Sequence, residues 1–194
     1  IRGTARRFEV KGQAAGVTIV DDYAHHPTEI RATLEAARLK FPGRALWAVF
    51  QPHTFSRTAA LLDGFASAFG DADHVLVTSV YAAREQNTFG VSGSDVVARM
   101  VSPDSADGRG AHQEPGGDII RHPDAQYVAS LDSAVTVLLE RVRPGDVIMT
   151  LGAGDGYLVG ERVLESLKDR ENGGSPGPDG AWNSERATCR ECPW

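Results

Sequence analysis

The run Val17-Thr18-Ile19-Val20 is β-branched throughout, and it breaks off at Asp21-Asp22-Tyr23-Ala24-His25-His26. Its length suits a buried strand. Pro27 follows where a starting helix has no use for the missing N–H. Thr28 and Glu29 suit the positive end of a helix dipole. A strand that ends in two carboxylates, a phenol and two imidazoles at a helix start predicts an open α/β sheet. In such sheets ligands sit beyond the carboxyl ends of the strands. The plainer alternative is that Asp21 and Asp22 only cap the helix, with His25 and His26 as surface loop residues.

The rest of the chain alternates in the same way. Residues 7–11 and 17–21 read as two short strands about a turn region at 12–16. A helix over 27–40 places Ile30, Leu34, Ala37 and Phe41 on one stripe, and Pro42-Gly43 stops it. Residues 45–50 form a continuous apolar run, as in a central parallel strand covered on both faces. A helix over 56–69 turns Leu61, Leu62, Phe65 and Phe69 inward, a strand over 74–78 follows, and 79–90 is a polar loop. A short helix spans 94–100. Residues 102–117 turn to Gly, Pro, Asp and Ser, the composition of a surface insertion. A strand over 126–129 leads to a helix capped by Ser130 or Asp132, with Val135, Leu138, Leu139 and Val142 at i, i+3, i+4 and i+7. Pro144-Gly145 turns the chain into a strand over 146–151. The glycine-rich Gly152-Ala153-Gly154-Asp155-Gly156 opens a last helix, whose inner face is Val159, Val163, Leu164 and Leu167. The pattern predicts a three-layer, Rossmann-like α/β fold with a mostly parallel sheet flanked by helices.

The chain has 194 residues, 41% hydrophobic and 24% charged, enough for one domain with a proper core. A net charge of −6 argues against a general nucleic-acid or anionic-membrane binder. No apolar run approaches a membrane span and no signal peptide opens the chain, so the expected compartment is the cytoplasm. Both cysteines, Cys189 and Cys192, lie in the last six residues, where a lone Cys-x-x-Cys is a weak zinc or redox signal. From residue 171 the composition cannot support a core, which predicts a domain over 1–170 and a disordered tail over 171–194.

The string Asp21 to Glu29 resembles the C-terminal domain of the Mur ligases. So, in order, do Arg6-Arg7-Phe8, Gln51-Pro52-His53-Thr54-Phe55-Ser56-Arg57-Thr58, Val80-Tyr81-Ala82-Ala83-Arg84-Glu85 and Gly152-Ala153-Gly154-Asp155. The resemblance covers residues 1 to about 168, and it is nearest to the members that join L-alanine to UDP-N-acetylmuramate. It implies a Rossmann-like domain and an ATP- and Mg2+-dependent reaction that passes through an acyl phosphate. It further implies that the chain is one piece of an enzyme whose N-terminal UDP-binding and central ATP-binding domains lie elsewhere. Those domains would be its partners, and most Mg2+ ligands would be theirs. No Gly-x-x-x-x-Gly-Lys-Ser/Thr occurs in the chain, so this piece alone is expected to be inactive.

Residue by residue, the resemblance assigns Arg7, Asp22, Tyr23 and His25 to ATP, with His25 also beside the reacting centre. A guanidinium suits phosphate through its bidentate fork, and an imidazole can donate to phosphate or manage the protons of an amine. Asp21 and Asp22 cannot be told apart by alternation. Acid and amine substrates fall to His53, Arg57, Glu85, Gly152, Ala153 and Gly154. Arg57 would hold the alanine carboxylate, and Glu85 would steer the incoming ammonium. Many relatives carry an arginine at the position of Thr54, a contact missing here. No metal ligand is expected in this piece. The alternative readings are a ligase recycling a murein tripeptide onto the same UDP-sugar, and a binding module without catalysis. A hydride-transfer enzyme is more distant, because no Gly-x-Gly-x-x-Gly follows the first strand.

Overall fold

A computed structural model describes residues 6–101 and 124–173 of the chain. The whole 102–117 insertion, the tail from residue 174 and both cysteines lie outside the described residues. Among those residues six strands share one sheet: β1 (Glu9–Ala14), β2 (Val17–Asp22), β3 (Leu46–Phe50), β4 (His74–Val77), β5 (Ala125–Tyr127) and β6 (Val147–Leu151). Their order across the sheet is β1-β2-β6-β3-β4-β5. Apart from β1, which pairs antiparallel with β2, neighbouring strands run parallel.

Six helices cover the sheet: α1 (Pro27–Lys40), α2 (Phe55–Ala60), α3 (Leu62–Ala66), α4 (Gly93–Val101), α5 (Leu131–Arg141) and α6 (Tyr157–Asn172). The strands are apolar on both faces because each face has a helix layer to cover it. Ala48 and Phe50 of β3 pack with Ile30, Leu34, Phe65 and Val96 from α1, α3 and α4. Trp47 and Val49 point the other way, into a second core with Leu138 of α5 and Val159, Val163 and Leu167 of α6. Phe50 is fully buried between Phe65 and Phe69, with ring centroids 5.0 and 5.4 Å away. Each such ring contributes about 1.5–3 kcal/mol by leaving water. The expected three-layer, mostly parallel architecture is the observed one.

Two local expectations are corrected. The first strand starts later than residue 7 and runs through Gly12 to Ala14. Arg6 and Phe8 hold φ of +64° and +44°, which no strand tolerates. The hairpin turn is then the two-residue Ala15-Gly16 at φ +48° and +75°, the conformation whose twist matches the flanking strands. The helix expected over 56–69 is two short helices broken at Leu61 (φ −117°, ψ 20°). The break lets α3 pack on α1, where a Cβ on Gly64 would lie only 3.0 Å from Pro27 Cγ. Leu61 and Leu62 are in consequence only partly buried. The last helix, α6, runs to Asn172 and stops at Gly173 with φ +149°. Ser130, not Asp132, caps α5, its hydroxyl accepting from the Ser133 N–H at 3.1 Å, while Asp132 pairs with Arg162.

At the carboxyl ends of the strands, β2 and β3 lead into helices on one face and β6, between them, leads into α6 on the other. This reversal opens a crevice above β6, where α/β sheets bind ligands.

Candidate active site

Arg6 ties the crevice together. Its Nε donates to Asp21 at 2.9 Å, and its two terminal nitrogens donate to the carbonyls of Gly152 at 2.8 Å and Gly154 at 3.2 Å. The guanidinium also lies 5.2 Å from the Tyr23 ring centroid and 4.7 Å from that of Tyr157. Asp21 is 1% exposed and also accepts from the Thr150 hydroxyl at 2.7 Å. Alternation along β2 sends Asp22 to the opposite face. There it accepts from the Phe8 and Ala24 N–H groups at 2.7 and 2.8 Å and lines a cavity of about 480 Å³ with Arg7, Phe8, Tyr23, Thr33 and Ala36. Arg7 is exposed at its rim. Of the two neighbouring acids, Asp22 is the one beside this cavity.

Glu29 sets the loop between β2 and α1 by accepting the His25 and His26 N–H groups at 3.0 and 3.1 Å. Partial burial pushes its carboxyl up, but those donors and the two imidazoles outweigh it and hold the Glu29 pKa below the ordinary range. His26 accepts from the Thr28 N–H at 3.3 Å and so caps α1, while His25 lies on the side of His53. His25 Nδ1 lies 2.9 Å from the Tyr23 carbonyl.

From His25 a line of rings crosses the strand ends. Tyr23 and His25 meet edge-on at 5.2 Å, His25 and His53 at 6.3 Å, and His53 stacks on Tyr81 at 5.5 Å with 16° between planes. Arg57 reaches His53 Nδ1 at 3.5 Å. It lies in the first turn of α2, whose N-cap is Thr54. A φ of +64° is strained for a β-branched residue. The strain is held by the Thr54 N–H donating to the Tyr81 carbonyl at 2.9 Å and by the Thr58 hydroxyl donating to the Thr54 carbonyl at 2.7 Å. Glu85 turns both oxygens to Ser56, accepting from its N–H at 2.9 Å and its hydroxyl at 2.6 Å, and these donors lower its pKa. In this arrangement Glu85 fastens the 79–90 loop to α2.

The glycine loop is fixed from below by Gln51, which is 6% exposed. Its side chain accepts from the Gly156 N–H at 2.7 Å and donates to Asp155 at 2.6 Å. A Cβ on Gly152 would lie 2.7 Å from the Gln51 carbonyl oxygen, and one on Gly154 would lie 2.7 Å from Tyr81 Cγ. The carbonyls of Gly152 and Gly154 are already taken by Arg6, and Ala153 is half-exposed between them.

The fold thus brings Tyr23, His25, His53, Arg57 and Gly154 to one rim, with Glu85 at the start of α2 within electrostatic reach of His53 and Arg7 and Asp22 at the adjoining cavity. Sequence reasoning missed Arg6, Gln51 and Asp155. Gln51 heads a motif that had been noticed, but only the contacts reveal its part. Among the described residues no group of three or more His, Cys, Asp or Glu could hold a metal ion.

His53 titrates below the ordinary imidazole value, first because it is partly buried, then because Arg57 and His25 are near. The unfolded chain therefore takes up this proton first as pH falls. The stability contributed by neutral His53 is complete above about pH 6.5 and is lost as pH drops through the lower folded value. His53→Gln is expected to flatten the fall in stability below pH 6.5, read by urea unfolding at stepped pH. An unchanged slope would mean that His53 does not carry it.

Residues 6–154 match the family described as Mur ligase, glutamate ligase domain. A protein of Roseiflexus sp. (strain RS-1) named UDP-N-acetylmuramate--L-alanine ligase is 48% identical over 169 residues, which is 87% of this chain and 32% of that protein. The crystal structure of UDP-N-acetylmuramate-alanine ligase MurC from Thermotoga maritima superposes with a TM-score of 0.62 at 26% identity, covering 87% of this chain and 31% of that one. The murein peptide ligase of Psychrobacter arcticus does so with 0.63 at 25%, covering 90% and 32%. The chain spans about a third of the length of the relatives it matches. On the family match over residues 6–154 and the identity over most of its length, the chain belongs to the Mur ligase family.

Proposed function

We propose that this chain is the C-terminal, amine-side domain of an ATP-dependent ligase that joins L-alanine to UDP-N-acetylmuramate in peptidoglycan synthesis. The observation that carries the reading is the rim of His25, His53 and Arg57 beside the cavity of Arg7 and Asp22. In this reaction ATP phosphorylates the acid, ADP leaves, and the amine attacks the acyl phosphate and expels phosphate. Arg57 holds the alanine carboxylate so that the nitrogen points forward. Neutral His53, its pKa lowered, accepts the proton that the amine sheds. His25 donates to the phosphate oxygens. The cavity takes the nucleoside, its apolar walls Phe8 and Ala36 against the base and Arg7 toward the phosphates.

The reaction takes Mg2+, and the described residues offer no set of ligands for it. Its ligands are assigned to the ATP phosphates and the central domain. Residues 1–170 form the domain, which closes on an N-terminal UDP-binding and a central ATP-binding domain in the cytoplasm.

The test is phosphate release from ATP, UDP-N-acetylmuramate and L-alanine, by this chain alone and by the complete open reading frame that encodes it. Silence from the chain and alanine-dependent release from the whole are expected. Release by the chain alone would reveal a phosphate site of its own and sink the division of labour. The likeness to the Psychrobacter murein peptide ligase supports a second reading, with a tripeptide as the amine. Release driven by L-Ala-γ-D-Glu-meso-diaminopimelate and not by alanine would establish it.

A further inference from the structure

Tyr81 stands between two spaces. On one side its ring stacks on His53 at 5.5 Å, facing the rim that holds Arg57. On the other side it lines a second cavity of about 260 Å³, together with Gln51, Ala82, Ala129, Leu131 and Asp155. None of His25, His53 and Arg57 lines that cavity. The partition is built into the backbone. The Tyr81 N–H donates to the Pro52 carbonyl at 2.8 Å, and the Tyr81 carbonyl accepts from the Thr54 N–H at 2.9 Å, a parallel bridge that sets Tyr81 beside His53. Gly154 leaves room for it, since a Cβ there would lie 2.7 Å from Tyr81 Cγ and 2.9 Å from its Cβ. Tyr81 as a whole is nevertheless 37% exposed, so its position is set by its neighbours and not by a closed core.

We infer that Tyr81 is a specificity-determining wall of the amine site, shutting the 260 Å³ cavity off from the amino acid held by His53 and Arg57 and so confining the acceptor to a short side chain. The inference rests on the function proposed above. Excluding an oversized substrate by a clash is the more effective half of selectivity, because an open pocket alone separates neighbouring homologues weakly. The space behind Tyr81 has a mixed lining, Val80, Ala82, Ala129 and Leu131 beside the polar Thr78, Ser130 and Asp155, and its volume is large enough for an isobutyl group.

The test uses the complete open reading frame, assayed by phosphate release with L-alanine and with L-leucine. Tyr81→Ala is expected to raise the leucine-to-alanine ratio of kcat/KM about tenfold or more. Tyr81→Phe, which keeps the ring, is expected to hold the parent ratio. Equal loss with both amines, at an unchanged melting temperature, overturns the inference and leaves Tyr81 as a mere support for His53. If Tyr81→Ala does not fold, Tyr81→Val removes the ring while placing a β-branched residue, which favours extended backbone, in the bridge. The same ratio is then read from it, and an unchanged ratio overturns the inference as well. Failure of the underlying function looks different: the parent itself would release no phosphate with alanine, and both claims would fall.

Discussion

Arg6→Ala is expected to lower the unfolding free energy of this chain by about 3 kcal/mol, the low end of what removing one partner of a buried ion pair costs. Asp21 is 1% exposed and would keep the Thr150 hydroxyl as a donor and Lys11 as a more distant charge, with no ion-pair partner in contact. The Gly152 and Gly154 carbonyls would lose their donors at the same moment. The low end applies because the Arg6 side chain is 22% exposed, so water can reach part of the site. Arg6→Lys should recover only part of the loss, because an ammonium cannot serve three acceptors spread around a planar fork. Pairing Arg6→Ala with Asp21→Asn should restore much of the stability, since the stranded charge is then gone. Urea unfolding of the four proteins measures all of this. A loss below about 1 kcal/mol for Arg6→Ala would make Arg6 an ordinary surface cation.

The fold was legible in the sequence because its strands and helices are bounded by chemistry that acts locally. Val17 to Val20 and residues 45–50 are apolar on both faces, and Pro27, Pro42-Gly43 and Pro144-Gly145 punctuate them. Leu61 shows where that legibility stops. The stripe of Leu61, Leu62, Phe65 and Phe69 fits one helix, and only the packing of Gly64 on Pro27 breaks it in two. The positive φ values at Arg6 and Phe8 are equally silent, because non-glycine residues carry no mark of them.

The site was legible in its chemistry and not in its wiring. His25, His53 and Arg57 were singled out by residue type and motif, and the fold sets them side by side. Gln51 and Arg6 act through partners about a hundred residues or more away, at Gly156, Gly152 and Gly154, a relation that no local pattern encodes. For Glu85 the motif implies a partner for ammonium, and it gives no sign that both oxygens also hold Ser56. Residue type told which groups could do chemistry, and tertiary contact decides which of them are free to do it.

On the proposed function, Arg57→Ala in the protein encoded by the complete open reading frame is expected to raise the KM for L-alanine about 100-fold, since a charge-assisted hydrogen bond to a carboxylate is worth about 1.5–3 kcal/mol. KM for ATP and for UDP-N-acetylmuramate should stay within a few-fold. The same substitution has a second consequence that a purely structural role would not produce. Burial is the first cause of the lowered His53 pKa and the Arg57 charge the second. Removing Arg57 lets the His53 pKa rise toward the ordinary imidazole value. If His53 takes the amine's proton in its neutral form, the acid limb of the kcat/KM profile must move to higher pH. Arg57→Lys separates the two effects. The charge stays, so the acid limb should stay, but the planar fork is lost and the KM for alanine should remain raised. Equal rises in all three KM values would instead mark Arg57 as a prop for α2. A raised alanine KM with an unmoved acid limb would keep Arg57 as the carboxylate's partner and take the proton from His53.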